Sequence, residues 1–502
     1  MIEKIVRLGK ETAVYGLSTI AGRLLNFLIV PFYANVLLPA ENGVVSNVYA
    51  YIAFAFVVFC YGMEPAYMRY VASLEIGDRR QNFSVPFFSL VSSSLLLAVG
   101  LHGTAPALAE LIGIGRSHAD LVRYSGWILC FDALSVVPFA SLRMDHRASA
   151  FAGIKLLNIF TNLTLNVVLI VGLHMRMQGV FLANLLASVV TFLALVPVVR
   201  RNITFALPKD LYRHILKFGI PYIPAGLAGM ANQVIDRPIV KALTNDATLG
   251  IYQLNYRLGI FMMLIVGMFD YAWRPFFLTH AKDPDAKELF ARVFTYFVLM
   301  MMTIFLGVSL FIEDAVRMTV FGRQFFPPAY WDGTAIVPVV LLAYVFTGIY
   351  VVFVVGVYLE KKTQYLPLIT GAGAAVNVGA NLFLIPRMGI MGAAIATLLS
   401  YMVMAVGMYG SSQRFYPVRY EWGKVTRTMA FALGLFAILQ WINPPPLASS
   451  GLALKLALFL AFPLLLWFTR VIDAAEIAAT RKMILGWFSR PPASPPDPPA
   501  AS

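Results

Sequence analysis

The sequence predicts an all-α, polytopic membrane protein with about 14 transmembrane helices, arranged as two six-helix lobes related by a pseudo-twofold axis plus two extra helices. Composition predicts the class, because 59% of the 502 residues are hydrophobic and only 13% are charged, whereas a typical soluble chain carries about 25% charged residues. Apolar runs of about 20 residues, long enough to cross a bilayer as helix, recur along the chain. The alternating ten-residue segments typical of a membrane β-barrel do not appear.

The order of the apolar runs predicts the domain organisation. Residues 1–203 form an N-lobe with spans 1–6, residues 204–416 form a C-lobe with spans 7–12, and residues 417–472 hold spans 13 and 14. Residues 473–502 are predicted to be a cytoplasmic interfacial segment followed by a disordered Pro-rich tail. The spans lie near 12–36, 44–66, 84–103, 121–141, 153–173, 180–199, 218–240, 251–272, 290–312, 335–357, 366–385, 390–410, 427–442 and 451–472.

Basic residues are distributed unequally between the two sets of loops. Most Lys and Arg residues fall on the side that holds both termini, so the positive-inside rule places both termini in the cytoplasm. The net charge of +14 therefore indicates membrane topology, and we expect no nucleic-acid partner. The opposite side carries only Arg116, Arg123, Arg176, Lys241, Arg317, Arg323 and Arg387.

Two pairs of similar segments indicate an internal repeat of the two lobes. In each of spans five and eleven, two Asn residues stand four apart before a tight Gly-containing hairpin. Spans two and eight share a Gly and a Tyr at identical spacing. Parallel repeats of this kind are a common transporter plan with substrate between the lobes, although chance similarity between apolar segments is the alternative. The matched residues are Asn162 and Asn166 with Asn377 and Asn381, and Gly43 and Tyr49 with Gly250 and Tyr256.

Ionisable residues inside the spans are the candidate substrate-binding groups, because each costs about 2.5–3.5 kcal/mol at a helix centre on insertion scales. They predict a hydrated, cationic cavity between the lobes. Arg grips phosphate with two parallel hydrogen bonds, so the cavity suits a phosphate-bearing sugar headgroup. For Asp236 an equal alternative is pairing with Lys241 or Arg257 to fix helix packing. The candidates are Arg23, Arg237, Arg257, Asp236, Asn232, Gln233, Gln253, Asn255, Tyr256 and Asn47.

Three charged residues lie at the predicted inner ends of spans, namely Glu64, Asp270 and Arg274. They are either helix-end charges beside water or an inner gate. Asp270 and Arg274 stand four apart with the acid first, which favours a local ion pair. No catalytic residue and no metal site is predicted, because the six His residues are scattered and no nucleotide-binding motif is present.

The ordered motifs FGIPYIPAGLA, Asp236-Arg237, LGIYQLNYR and WRPFF resemble the second-lobe signature of the polysaccharide biosynthesis flippases. These are similar to the Wzx O-antigen flippases, within the multidrug/oligosaccharidyl-lipid/polysaccharide exporter (MOP) superfamily. The resemblance implies a flippase, not an enzyme, in the bacterial inner membrane. Its cargo would be a polyprenyl-pyrophosphate-linked oligosaccharide for polysaccharide or lipopolysaccharide O-antigen, moved from the inner to the outer leaflet by alternating access. The lipid II flippases of this superfamily use a cationic cavity with essential arginines, and by resemblance Arg23 and Arg257 are the best counterparts of these, with Arg237 next.

The resemblance also implies the partners, which are the lipid-linked oligosaccharide, membrane lipids and, as a further expectation, polysaccharide-assembly enzymes. We expect no cofactor, and coupling to a proton or sodium gradient or to the membrane potential is left open. A cation-coupled multidrug exporter of the same superfamily is the first alternative, although a cationic cavity suits it poorly. A membrane glycan polymerase or ligase is the second, although the loops opposite the termini are short for a catalytic domain.

Overall fold

The computed structural model describes residues 30–320 and 322–471, which are almost entirely helical. The first described segment is helical over residues 30–36 (α1). A two-residue hairpin, β1 (Thr319–Val320) with β2 (Arg323–Gln324), is the one pair of strands in the described part. The helices that follow are α2 (Pro39–Cys60), α3 (Met63–Ser73), α4 (Arg79–Leu111), α5 (Ala119–Met144), α6 (Ala148–Asn166), α7 (Arg176–Asn202), α8 (Lys209–Gly219), α9 (Tyr222–Val234), α10 (Asp236–Leu243), α11 (Asp246–His280), α12 (Ala286–Arg317), α13 (Val337–Leu359), α14 (Tyr365–Met388), α15 (Ile390–Phe415), α16 (Trp422–Ile442) and α17 (Ser449–Phe468).

The helices confirm the predicted all-α membrane fold. Within the described residues, 12 helical segments are long and apolar enough to cross a membrane. They coincide with predicted spans two to six and eight to fourteen. Most of the first predicted span lies outside the described residues. The chain is therefore a multi-pass membrane protein.

The seventh predicted span, residues 218–240, differs from the continuous helix that its hydropathy predicts. The structure breaks it into the end of α8, the whole of α9 and the start of α10. Proline lacks a backbone N–H, so Pro224 and Pro238 cannot donate to the carbonyls of Ile220 and Val234 four residues earlier. Each missing bond falls beside one of the two breaks.

The chain divides into two compact units, and the first consists of residues 1–290 and 312–418. Within it, α2 and α11 cross with glycine facing backbone. A Cβ built on Gly43 would lie 1.8 Å from the carbonyl oxygen of Asp246, and a Cβ on Gly250 would lie 1.8 Å from that of Pro39. In each helix the carbonyl belongs to the residue one turn before the glycine. The crossing is thus symmetric locally, and it joins the two segments whose similarity indicated the repeat.

Hydrogen bonds reinforce this crossing at the same end of the unit. The 3₁₀ helix Pro328–Ile336 places the Tyr330 hydroxyl where it accepts from Asn42 Nδ2 at 2.6 Å and donates to the Leu37 carbonyl at 2.9 Å. The Tyr330 carbonyl accepts from Asn255 Nδ2 at 2.9 Å. These bonds join the start of α2 to α11.

The paired asparagines of the repeat adopt the same geometry in both copies. Asn166 Nδ2 donates to the carbonyl and Oδ1 of Asn162 at 2.8 and 2.9 Å. Asn381 Nδ2 donates to the same atoms of Asn377 at 2.8 and 2.7 Å. The sequence similarity therefore reflects a repeated local structure.

The second unit consists of residues 291–311 and 419–502. In its described part, α16 and α17 pack together with the middle of α12. The ring of Phe459 fits against Gly307, where a Cβ would approach it to 3.2 Å. Thr295 donates to the Glu421 carboxylate at 2.7 Å. The unit contains no residue of the predicted binding site.

Candidate functional site

Arg237 and Arg257 are the charged centre of the candidate site. Arg257 lies 11 residues into α11 from Asp246, about 16 Å along the helix at 1.5 Å per residue. Arg237 lies six residues before the end of α10, about 9 Å from it. Both side chains are half-buried. In the described part of the chain neither guanidinium has a hydrogen-bond or ion-pair partner.

The two arginines lie near each other and near hydroxyl groups. Arg257 interacts electrostatically with Arg237, with Tyr33 at the end of α1 and with Tyr49 on α2. Helices from both halves of the chain therefore converge on Arg257. Two like charges inside a membrane protein, neither of them held in a salt bridge, attract an anionic ligand.

Asp236 does not neutralise them through a side-chain ion pair. Its Oδ2 accepts from the Tyr252 hydroxyl at 2.5 Å, and its Oδ1 accepts from the backbone N–H of Arg237 at 3.0 Å. Lys241, one predicted partner, instead pairs with Asp246 at 2.7 Å. Asp236 is only 4% exposed, and its bond to Tyr252 holds α10 against α11. It interacts electrostatically with Arg237, but the Arg237 guanidinium is not bound to it.

A row of tyrosines surrounds the Asp236–Tyr252 bond, and the sequence did not single it out beyond Tyr256. The Tyr252 and Tyr256 rings lie 5.5 Å apart. The Tyr344 hydroxyl donates to that of Tyr256 at 3.2 Å, and the Tyr344 and Tyr401 rings lie 6.2 Å apart. The row extends from α11 across α13 to α15. Tyrosine combines an apolar ring with a hydroxyl that seeks a partner when buried, so the row fixes these helices around the arginines.

Three predicted amides join helices together. Asn232 Nδ2 donates to the Thr370 carbonyl at 2.8 Å, which ties α9 to α14. Asn47 Nδ2 donates to the Ile112 carbonyl at 3.0 Å, which ties α2 to the end of α4. Asn255 is fully buried and bonds to the Pro328–Ile336 helix as described above. Their side chains stabilise the packing around the arginines.

The remaining predicted residues have different surroundings. Gln253 is buried, and its Oε1 has no donor among the described residues. Gln233 is exposed. Arg23 lies outside the described residues. Of the predicted constellation, the structure therefore brings together Asp236, Arg237, Tyr256 and Arg257.

The three predicted inner-end charges are all paired. Asp270 and Arg274 form the expected bond at 2.8 Å, and Arg274 also donates to the Tyr358 hydroxyl at 3.2 Å. Glu64 contacts Arg143, which lies on α5. The last contact joins two helices of the N-terminal half at the mouth of a cavity.

This cavity, which we call the N-half cavity, has a volume of about 390 Å³ and is enclosed by α2, α3, α5, α6 and α7. Its lining is polar and charged, although the surrounding helices are apolar. The residues that carry its polarity are Asp132, Arg143, Lys155, Asn158, Asn184 and Ser188. The sequence analysis missed all of them. The rule that intramembrane charges are functional candidates could have found Asp132 and Lys155.

The cavity adjoins the arginine site through one residue. The Tyr49 hydroxyl accepts from Asn184 Nδ2 at 2.9 Å. Tyr49 also interacts electrostatically with both Arg257 and Asp132. The tyrosine therefore lies between the two polar regions.

Charges at the crossing end of the helices are neutralised in pairs. Six of the basic side chains predicted at this end are described by the structure. Five of them have a nitrogen within 2.7 Å of a carboxylate oxygen. Arg387 donates to the Phe383 carbonyl at 2.6 Å. The excess positive charge thus lies at the other end. The five are Arg116, Arg123, Arg176, Lys241 and Arg317.

Comparison with known proteins identifies the fold and a family match. Residues 8–280, just over half of the chain, match the family described as polysaccharide biosynthesis protein. No curated protein matches the chain. Among solved structures, the lipid II flippase MurJ in an inward closed conformation has a TM-score of 0.73 at 13% identity, covering 91% of this chain and 99% of that one.

Two other structures of MOP superfamily transporters are also similar. An inward-facing multidrug resistance transporter of the MATE family, in the MOP superfamily, has a TM-score of 0.62 at 15% identity, covering 82% of this chain and 97% of that one. A MOP superfamily transporter from Pyrococcus furiosus, described as having a binding pocket of reverse polarity, has a TM-score of 0.57 at 16% identity, covering 81% and 95%. At these identities the likeness shows the fold, which is that of MOP superfamily transporters.

Proposed function

This chain belongs to the polysaccharide biosynthesis protein family, and from that premise we propose that it is a flippase for a polyprenyl-pyrophosphate-linked oligosaccharide. The cargo would be a repeat unit of a polysaccharide or O-antigen, moved from the inner to the outer leaflet of the bacterial inner membrane. The observation that carries the proposal is the pair of half-buried guanidiniums, Arg237 and Arg257, neither of which forms a salt bridge or a side-chain hydrogen bond in the described part of the chain.

The arginines supply what a pyrophosphate requires. A guanidinium stays charged at any physiological pH and presents parallel N–H groups that match two phosphate oxygens. Each charged hydrogen bond contributes about 1.5–3 kcal/mol, and a half-buried site is screened less by salt than a surface pair. The polyprenyl tail stays in the bilayer while the headgroup occupies the site.

The headgroup would cross the membrane by alternating access, in which the site opens first to one side of the membrane and then to the other. With both termini in the cytoplasm, the α2–α11 crossing lies at the outer side, and the headgroup reaches Arg257 from the cytoplasm. Separation of the crossing then opens the outer side. No covalent bond forms or breaks, so the chain acts as a transporter and not as an enzyme. An inside-negative potential favours the outward movement of an anionic headgroup by about 2.3 kcal/mol per charge per 100 mV, and this can drive transport without a coupled ion.

The test is a flipping assay with the purified chain in vesicles that carry polyprenyl-pyrophosphate oligosaccharide in one leaflet. An impermeant glycosidase measures the fraction exposed in the other leaflet over time. We expect Arg257→Gln to slow flipping by at least about tenfold, because about 1.5 kcal/mol or more of binding is lost. Arg257→Lys keeps the charge but loses the paired N–H groups, and should be intermediate.

The matched control is Arg200→Gln, which removes the same charge from an exposed position at the end of α7. This variant should flip cargo at the normal rate. Equal rates for all four proteins would contradict the arginine site. Absence of flipping by the unaltered chain, with export of cationic dyes instead, would favour a multidrug exporter. Assembly of longer glycans in the vesicles would indicate a polymerase.

A further inference from the structure

The N-half cavity contains two amide side chains, Asn158 and Asn184, whose oxygens are available to accept hydrogen bonds from a ligand. Asn158 uses its N–H₂ group on Thr191 Oγ1 at 2.8 Å and on the Ala187 carbonyl at 3.2 Å. Asn184 uses its N–H₂ group on Tyr49. Neither side-chain oxygen receives a hydrogen bond from the described residues, and neither oxygen is fully buried, so a ligand can reach both. Both amides are thus held with the acceptor available.

The N-half cavity also contains charged side chains of both signs beside the two amides. Asp132 on α5 adds a carboxylate, which can only accept when ionised. Lys155 on α6 adds an ammonium with three donors, and its Nζ lies 4.4 Å from the centre of the Phe139 ring. Asp132 and Lys155 are not close enough for a salt bridge, but they interact electrostatically with each other, and Asp132 also accepts a hydrogen bond from the Ser188 hydroxyl. The cavity thus offers the acceptor oxygens of two amides and a carboxylate beside the donors of Lys155, which suits a ligand with several hydroxyl groups.

The charge balance opposes a bare cation as the occupant. Lys155 and Arg143 are as numerous as Asp132 and Glu64 around the lining, and Glu64 is already paired with Arg143. The described residues contain no group of three His, Cys, Asp or Glu side chains placed to hold a metal ion. An uncharged polar ligand suits this balanced lining, because its hydroxyls donate to the acceptors and its oxygens accept from the ammonium.

The position of the cavity relates it to the arginine site. Tyr49 and Phe56 stand seven residues apart on α2, about 10 Å along one face. Tyr49 interacts electrostatically with Arg257, and Phe56 lines the cavity. A pyrophosphate held by the arginines can therefore place the next one or two sugar rings among the amides.

We propose that the N-half cavity binds the first sugar rings of the cargo, and that these rings are uncharged, hydroxyl-rich hexoses or N-acetylhexosamines. The inference rests on the proposed function, since the arginines anchor the pyrophosphate. It adds a second contact region and a sugar class that the arginines alone do not select. Sites that hydrogen-bond ligand hydroxyls discriminate strongly against ligands that lack them.

The experiment compares two probes bound to the full chain in lipid nanodiscs. One is bare polyprenyl pyrophosphate, and the other is the same lipid carrying a neutral N-acetylhexosamine disaccharide. The readout is the ratio of the two Kd values, so any general loss of folded protein cancels. We expect the disaccharide lipid to bind the unaltered chain at least about tenfold more tightly, as two or more neutral hydrogen bonds provide.

Two cavity variants test the named groups. Asp132→Asn keeps shape and removes the charge, while Asn158→Leu keeps volume and removes the acceptor. Each should reduce the ratio by about three- to tenfold, the loss expected for one hydrogen bond to the ligand. The control is Asp120→Asn on the same helix, because Asp120 pairs with Arg123 at 2.7 Å and does not line the cavity. This control should leave the ratio unchanged.

The outcomes separate the two proposals. The sugar site would be overturned if the two Kd values were nearly equal in the unaltered chain, or if both cavity variants kept the Kd ratio of the unaltered chain. Neither result would contradict the arginine site. Tighter binding of a lipid with an acidic sugar would overturn the uncharged class. Failure of the unaltered chain to bind bare polyprenyl pyrophosphate would overturn the proposed function, and the inference with it.

Discussion

Substitution of Gly43 by Ala tests whether the α2–α11 crossing is a gate. A methyl group at this position would lie 1.8 Å from the Asp246 carbonyl oxygen, whereas ordinary contact begins at 3.4 Å. The helices must therefore separate by about 1.6 Å, the difference between these distances. Because the obstacle is backbone, no side-chain rotation relieves it. The clash exists only while the helices are crossed.

The separation has a cost that shifts the balance between crossed and open states. Overpacking a close contact costs about 1–3 kcal/mol. Ala is a better helix former than Gly by about 1 kcal/mol, but this gain is equal in both states and cancels. The open state should therefore gain population by about five- to 150-fold relative to the crossed state. Gly250→Ala should act equally, because it meets the Pro39 carbonyl at the same distance.

Thiol labelling measures the shift. Ser46 lies one turn after Gly43 on the buried part of α2 and is 4% exposed, so a Ser46→Cys thiol reacts with an impermeant maleimide only when the crossing opens. Cys60 and Cys130 are first replaced by Ala. We expect labelling in the Gly43→Ala background to be about five- to 150-fold faster.

A matched glycine provides the control. Gly379 on α14 has open space where its Cβ would lie, so Gly379→Ala should improve helix propensity without any change in labelling. The double substitution of Gly43 and Gly250 should be less than additive, since one separation relieves both clashes. Unchanged labelling in both single variants would refute the assignment of this crossing as a gate.

Two further substitutions test the polar contacts around the site. Tyr252→Phe leaves the Asp236 carboxylate buried without its hydroxyl donor, so thermal denaturation should show a loss of about 1–3 kcal/mol, and restored stability on adding Asp236→Asn would support this cause. Asn166→Ala should cost more stability than Asn381→Ala, because Asn166 also accepts from the Tyr33 hydroxyl at 2.8 Å. An equal loss in the same assay would mean that the additional bond contributes nothing.

Hydropathy predicted most of the fold because a helix in lipid must be apolar over a set length. The exception is the seventh predicted span, residues 218–240, where hydropathy indicated one helix. Backbone hydrogen bonding decides that segment, and the prolines at 224 and 238 remove donors that hydropathy does not count. The second break places Asp236 and Arg237 at the start of the short helix α10, so the break helps to position the site residues.

The site was predictable in part, for a similar reason. Arg237 and Arg257 are expensive in a membrane wherever they point, so sequence alone marked them. The partners of Asp236 were not predictable, because Tyr252 lies 16 positions away on another helix. The N-half cavity was missed because its polar residues are spread over three apolar helices, with two of the six named residues on each. Only packing shows that Asn158 and Asn184 face the same space.

On the proposed function, the gate and the binding site are coupled because the same two helices carry both. Tyr49 follows Gly43 by six residues on α2, and Arg257 follows Gly250 by seven on α11, about 9 and 10 Å beyond the crossing. A change in the crossing angle therefore moves Arg257 relative to Tyr49 and alters the surroundings of a bound pyrophosphate. Linkage requires the converse as well. A headgroup that bridges Arg257 and the N-half cavity must shift the crossing toward the state it binds more tightly.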